Sequence, residues 1–164
     1  KSSLPKVYGG FNTSLSWKGF DLSAIFAYSI GGYIYNRDIT MILHNGSLEG
    51  RDWSTEILKR WTPDNRNTDV PALSTTTNNW NSASTRFLQN NSYMRLKNLT
   101  LSYNLPKQWI SKLSLSSVQV YVQGDNLFTI HRNQGLDPEQ GITGITYYRY
   151  PAMRTISGGI NVSF

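Results

Sequence analysis

Five stretches of the chain alternate between apolar and polar residues with period two. From Tyr8 to Trp17, Phe11, Thr13, Leu15 and Trp17 share one parity, and Asn12, Ser14 and Ser16 take the other. After Lys18-Gly19 comes Phe20 to Ile30, with Phe20, Leu22, Ala24, Phe26, Tyr28 and Ile30 opposite Asp21, Ser23, Ile25, Ala27 and Ser29. Leu99, Leu101, Tyr103 and Leu105 alternate with Thr100, Ser102 and Asn104, and Val118, Val120 and Val122 with Gln119, Tyr121 and Gln123. The chain closes with Ile156, Gly158, Ile160, Val162 and Phe164 set against Thr155, Ser157, Asn161 and Ser163. One apolar and one polar face per segment predicts half-buried β-strands at about 8–17, 20–30, 93–105, 118–128 and 154–164.

The connections between these strands alternate in length. Lys18-Gly19 and the stretch Pro106 to Ser114 are short, whereas about 31–92 and 129–153 are long. Loops of that size are uncommon in a compact domain. Strands of roughly 9–11 residues with short turns on one side and long loops on the other are the pattern of an outer-membrane barrel. The predicted fold class is therefore all-β: an antiparallel transmembrane β-barrel segment with long extracellular loops containing short helix. Trp17, Phe20, Tyr103, Trp109 and Phe164 would then gather at the short-turn, periplasmic edge, where an interfacial aromatic girdle belongs. Phe26, Leu101, Val120, Ile160 and Val162 would face lipid, and Ser14, Ser23, Gln119, Gln123 and Asn161 the lumen.

Arg95 and Lys97 break this alternation, because both lie on the parity that is apolar after Leu99. A charge facing lipid at the midplane costs roughly 2–4 kcal/mol. Two arrangements avoid that cost: both residues lie above the hydrocarbon, or a bulge near Asn98 reverses the parity.

Composition narrows the chemistry. There is no cysteine, which excludes disulfides and thiolate zinc sites. A net charge of +6 comes from 16 scattered Lys and Arg without a basic run, which favours a solvated surface and no nucleic-acid partner. Mean hydropathy is −0.42 and aromatics reach 13%. No run approaches the roughly 18 apolar residues of a membrane helix. No signal peptide is visible, and Lys1 in place of an initiator methionine leads us to expect a portion upstream.

The ten Asp and Glu form no evident catalytic pair, so no enzyme activity and no cofactor are expected. Glu49, Asp52 and Glu56 cluster, but "DWSTEILKRW" predicts a helix with Asp52 as N-cap and Trp53, Ile57 and Trp61 on one packed face. His44 and His131 lack ligand-like neighbours, and no metal site is expected. "DNRNTD" (64–69) and "GLDP" (135–138) suit turns better than a calcium loop. Trp80, Tyr147, Tyr148 and Tyr150, in the predicted outer loops, are the candidates for ligand contacts. A soluble carbohydrate-binding β-sandwich would use the same alternation and exposed aromatics, without explaining the loop lengths. A glycoside hydrolase fragment would need a carboxylate that nothing here nominates.

Several blocks in order resemble one family. "LPKVYGGFNTSLSWKGFDLSAIFAYSIGGYIYN", "RWTPDNRNTDVPAL", "NNSYMRLKNLTLSYNLP", "VQVYVQGDNLFT" and "GLDPE" are similar to the C-terminal part of SusC/RagA-type TonB-dependent receptors, the nutrient transporters of Bacteroidetes. The resemblance implies a barrel of about 22 strands around a plug, in the bacterial outer membrane. It further implies coupling to TonB through an N-terminal part outside this chain, and a SusD-like lipoprotein partner capturing glycans or peptides. The plug, the rest of the barrel and membrane lipid would be the other partners. Ile160, Val162 and the final Phe164 resemble the terminal signal read by the barrel-assembly machinery.

Overall fold

A computed structural model describes residues 1–44, 48, 50–74, 82–111, 115–133, 135–139, 141 and 143–164. Its framework is a five-stranded antiparallel sheet in the order β1-β2-β5-β6-β8. The strands are β1 (Val7–Trp17), β2 (Phe20–Ile30), β5 (Tyr93–Asn104), β6 (Ser117–His131) and β8 (Thr155–Ser163). Each pairs with the next along the sheet, the pattern that short hairpins and loops on alternating ends produce. The β1–β2 hairpin turns on Lys18 and Gly19, both at positive φ (48° and 89°), as a two-residue turn matched to strand twist requires.

The register carries the alternation across the whole sheet. One row runs Leu15–Leu22–Leu101–Val122–Gly158, and the neighbouring one runs Trp17–Phe20–Tyr103–Val120–Ile160. Phe11 stacks on Phe26 with ring centroids 4.6 Å apart, and Phe20 meets Tyr103 at 4.4 Å. Such cross-strand aromatic pairs contribute about 0.5–1.5 kcal/mol each.

The parity break in β5 is resolved by a bulge. Ile25 pairs with Asn98 but Phe26 pairs with Leu96, so Lys97 is the extra residue. Met94 and Leu96 thereby join the face of Leu99 and Leu101. Arg95 passes to the opposite face, beside Ala27 and Thr129. Of the two arrangements open to the sequence, this is the reversal near Asn98.

A second, three-stranded sheet lies in the long connections: β4 (Leu88–Asn90), β3 (Tyr33–Asn36) and β7 (Ile145–Thr146), with β3 and β7 parallel. Helix α1 (Arg37–Ile42) follows β3 directly, capped by the Asn36 side chain, which accepts from the Ile39 amide at 3.1 Å. One helical turn, α2 (Lys107–Ile110), begins the β5–β6 connection. The expected helix around "DWSTEILKRW" is instead a 3-10 segment, Thr55–Lys59, and its cap is Ser54, not Asp52. Only Ile57 of its expected apolar face is buried; Trp53 and Trp61 remain about two-fifths exposed, with Trp53 edge-on to the buried His44. Glu49 of the acidic cluster lies outside the described residues.

The buried apolar residues sit away from the large sheet. Ile34, Leu43, Ile57, Val70, Phe87 and Leu136 belong to the long connections, and Ile110 to a short one. In the five long strands Ala24 is the buried apolar residue among those described. The folded core therefore lies in the connections at one end of the sheet, whose own apolar face stands uncovered.

Candidate functional site

The two faces of the large sheet differ in chemistry, and that contrast defines the candidate site. Leu15, Leu101, Val120 and Ile160 are exposed on the apolar face, and Phe26 is partly so, stacked against Phe11. Val162 and Phe164 continue that parity, with Phe164 beyond the end of β8 and 92% exposed. Trp17, Phe20 and Trp109 are exposed near the short-turn end.

The opposite face is a hydrogen-bonded polar surface. Near the short turns, one chain of side-chain bonds crosses all five strands. Ser16 Oγ donates to Asp21 Oδ1, whose other oxygen accepts from Asn104 Nδ2 at 2.7 Å. Gln119 Nε2 donates to Asn104 Oδ1 at 3.1 Å, and Asn161 Nδ2 to Gln119 Oε1 at 3.2 Å. Further up, Asn98 and Gln123 both donate to Asp125. Ser14 and Ser23 are paired on this same face. Amides and hydroxyls linked in this way suit contact with water or a polar ligand.

At the loop end, Arg95 fastens the β6–β8 connection to the large sheet. Its guanidinium donates from Nη2 to Asp137 Oδ1 at 2.6 Å and from Nη1 to Glu139 Oε2 at 2.8 Å, while Nε reaches Thr129 Oγ1 at 3.0 Å. The side chains of Arg95 and Asp137 are almost fully buried, with 4% and 7% exposed. Lys97, carried on the bulge, pairs with Glu139. Asp137 also accepts from the amides of Glu139 and Ala152, at 2.9 and 2.7 Å. One carboxylate thus ties both ends of the connection to a single arginine of β5. The opposed charges lie far apart in sequence, and "GLDP" had suggested only a turn. The misplaced Arg95 was the one signal that acidic partners were needed.

Burial pushes the Asp137 carboxyl upward, but the amides of Ala152 and Glu139 and the Arg95 guanidinium outweigh it and hold its pKa below the ordinary value. A carboxylate depressed in the folded state contributes stability that is fully present above its unfolded pKa and is lost as pH falls through the folded one. Docking of 135–152 is therefore expected to persist from neutrality to about pH 4 and to weaken only in more acid solution. Hydrogen exchange at the Glu139 and Ala152 amides measures this. Loss of protection between about pH 7 and 5 would show that another group controls the latch.

The loop aromatics divide. Tyr147 and Tyr148 lie together, ring centroids 4.1 Å apart, with the Arg37 guanidinium 4.8 Å from the Tyr147 ring. Tyr148, at φ 49°, donates its amide to Asp38 Oδ1 at 3.1 Å, so this pair packs on α1. Tyr150 stands apart and is 92% exposed. Trp80 lies outside the described residues. "DNRNTD" is occupied with local bonds: the Asn65 amide donates to Thr62 and its side chain to the Lys59 and Arg60 carbonyls.

No protein-family model matches the chain. Among curated proteins, TonB-dependent receptor P3 of Formosa agariphila is 35% identical over 98% of this chain, which covers 16% of that receptor. TonB-dependent receptor SusC of Bacteroides thetaiotaomicron is 27% identical over 100% of the chain, again covering 16% of the relative. Among solved structures, the RagAB peptide transporter superposes with a TM-score of 0.88 at 36% identity, over 100% of this chain and 18% of the other. The chain spans about a sixth of the length of these relatives. A match along essentially the whole chain, in sequence and in three dimensions, places it in the SusC/RagA-type TonB-dependent receptor family, as a segment of such a receptor.

Proposed function

We propose that this segment is part of the wall of an outer-membrane importer for nutrients, glycan or peptide. The observation that carries this reading is the asymmetry of the large sheet: an uncovered apolar face backed by a hydrogen-bonded polar one. In a soluble protein the apolar face would be the one packed against another layer. In a barrel wall it meets lipid, and the polar face lines the interior. On this reading Phe26, Leu101, Val120, Ile160 and Val162 contact lipid, and the aromatics at the short-turn end lie at the periplasmic interface.

The remaining strands would close the sheet and satisfy the free edges of β1 and β8. The long connections would be extracellular, with Trp80, Tyr147, Tyr148 and Tyr150 offered to cargo or to a SusD-like lipoprotein lid. Energy would come from TonB through parts of the receptor outside this chain. The RagAB neighbours are described as a peptide importer, and peptide is accordingly the cargo class favoured here.

An immunoblot against this segment, on fractionated source cells with heated and unheated samples, tests the reading. The expected result is an outer-membrane band several times heavier than 18.6 kDa that shifts on heating. A soluble band near that mass, indifferent to heat, would mean an independent domain with sugar binding as its next assay.

A further inference from the structure

A cavity of about 530 Å³ opens where the polar face of the wall meets the loop sheet, a size suited to part of a small ligand. Its floor is set by strand register. Tyr8, Ser29 and Tyr93 stand side by side on β1, β2 and β5, so a small residue is flanked by two tyrosines. The opposite walls come from Tyr33, Asn91 and Pro138.

These walls are held firmly. Pro138 is fully buried, its carbonyl accepts from Asn91 Nδ2 at 2.9 Å, and the residues on either side of it, Asp137 and Glu139, are both bound by Arg95. The two carboxylates flanking Pro138 are thus engaged by Arg95 and Lys97. None of the described residues lining the cavity is charged at neutral pH. Lys1 Nζ lies 4.2 Å from the Tyr33 ring centroid without lining the space. Apart from ring faces and aliphatic atoms, the side chains of the described lining residues offer tyrosine and serine hydroxyls and the Asn91 amide.

We propose that this cavity is a subsite for one uncharged, largely apolar side chain of a peptide cargo, held between the rings of Tyr8 and Tyr93 over Ser29. This rests on the importer reading above and adds the chemistry of one position in its cargo. A charged side chain would lose water here, and no described residue lining the cavity offers it an opposite charge. A sugar ring would find a stacking surface but no free carboxylate for its hydroxyls, since Asp137 and Glu139 are already bound by Arg95 and Lys97.

The test uses the intact receptor purified in detergent, incubated with a tryptic digest of casein and, separately, with maltoheptaose. Bound material is identified by mass spectrometry. The expected result is retention of casein peptides enriched in Leu, Ile, Phe or Tyr. Ser29→Trp, which fills the slot, and Ser29→Asp, which adds a charge without much volume, should each lower that retention by about tenfold or more. Both variants are first checked for the heat-shifted outer-membrane band, and Ser29→Asp serves if the larger residue blocks assembly. Equal retention by wild type and Ser29→Asp would overturn the subsite, as would retention of maltoheptaose in place of peptides, or of neither. A wild-type receptor without the heat-shifted band would instead mark failure of the importer reading, and the subsite would fall with it.

Discussion

Leu101→Arg is expected to deplete the assembled receptor from the outer membrane, whereas Gln123→Ala leaves its level unchanged. Leu101 lies on the apolar face between Leu22 and Val122 in a central strand, and is 43% exposed with nothing packed over it. It is three residues from the short-turn end of β5 (Tyr93–Asn104), one row inward of Tyr103, so an arginine there would meet hydrocarbon between the midplane and the periplasmic interface. The cost is about 2–4 kcal/mol for Arg at the midplane and about 0–1 near the interfaces, so about 1–2 kcal/mol is expected at this depth. At about 1.4 kcal/mol per factor of ten, this is roughly a 5- to 30-fold shift against insertion. Gln123 is paired with Thr100 on the other face, where its amide bonds to Asp125 and water can replace it. The measurement is the heat-shifted band in outer-membrane fractions of cells expressing each full-length variant. Equal levels for the two variants would defeat the assignment of faces, because an aqueous surface tolerates arginine on either side.

The same contrast explains how much of the fold was legible in the sequence. Phe20 to Ile30 could be read as a strand because apolar and polar side chains alternate along it, and Lys18-Gly19 marks its start without ambiguity. The small sheet offered no such signal. Tyr33–Asn36, Leu88–Asn90 and Ile145–Thr146 are too short to display a period, and their pairing depends on partners more than 50 residues away. Trp53, Ile57 and Trp61 suggested a full helix from their spacing alone. Thr62 and Pro63 follow at once, however, and Asn65 takes up the Lys59 and Arg60 carbonyls, so only a 3-10 segment forms. The site was legible in the same uneven way. Arg95 and Lys97 showed that the alternation had to break, but where their charges went depended on Asp137 and Glu139, which local patterning cannot connect to β5.

That long-range connection carries the second large effect. Arg95→Met is expected to release the β6–β8 connection while leaving the barrel assembled. The substitution keeps the buried stem and removes the guanidinium, stranding Asp137, whose side chain is only 7% exposed. Breaking one partner out of a buried pair costs about 3–5 kcal/mol, chiefly because the other charge stays buried. The lower end is appropriate here, since Glu139 is 41% exposed and retains Lys97. The loss should be local, because the ladder of β5 with β2 and β6 does not depend on the Arg95 side chain. Trypsin cleavage at Arg149, an exposed residue of the tethered connection, measures it on outer-membrane vesicles. Where opening is fast relative to cleavage, the rate tracks the open population and should rise on the order of 100-fold. Adding Asp137→Asn to Arg95→Met should recover part of the protection, since no bare carboxylate is then left buried while its amide oxygen can still accept from Ala152. Arg95→Lys should fall between, keeping the charge but losing the fork that grips two carboxylates at once. Unchanged cleavage in Arg95→Met would mean that the loop is held by its contacts with α1 and β3 alone, and the Arg95 network would be a consequence of docking instead of its cause.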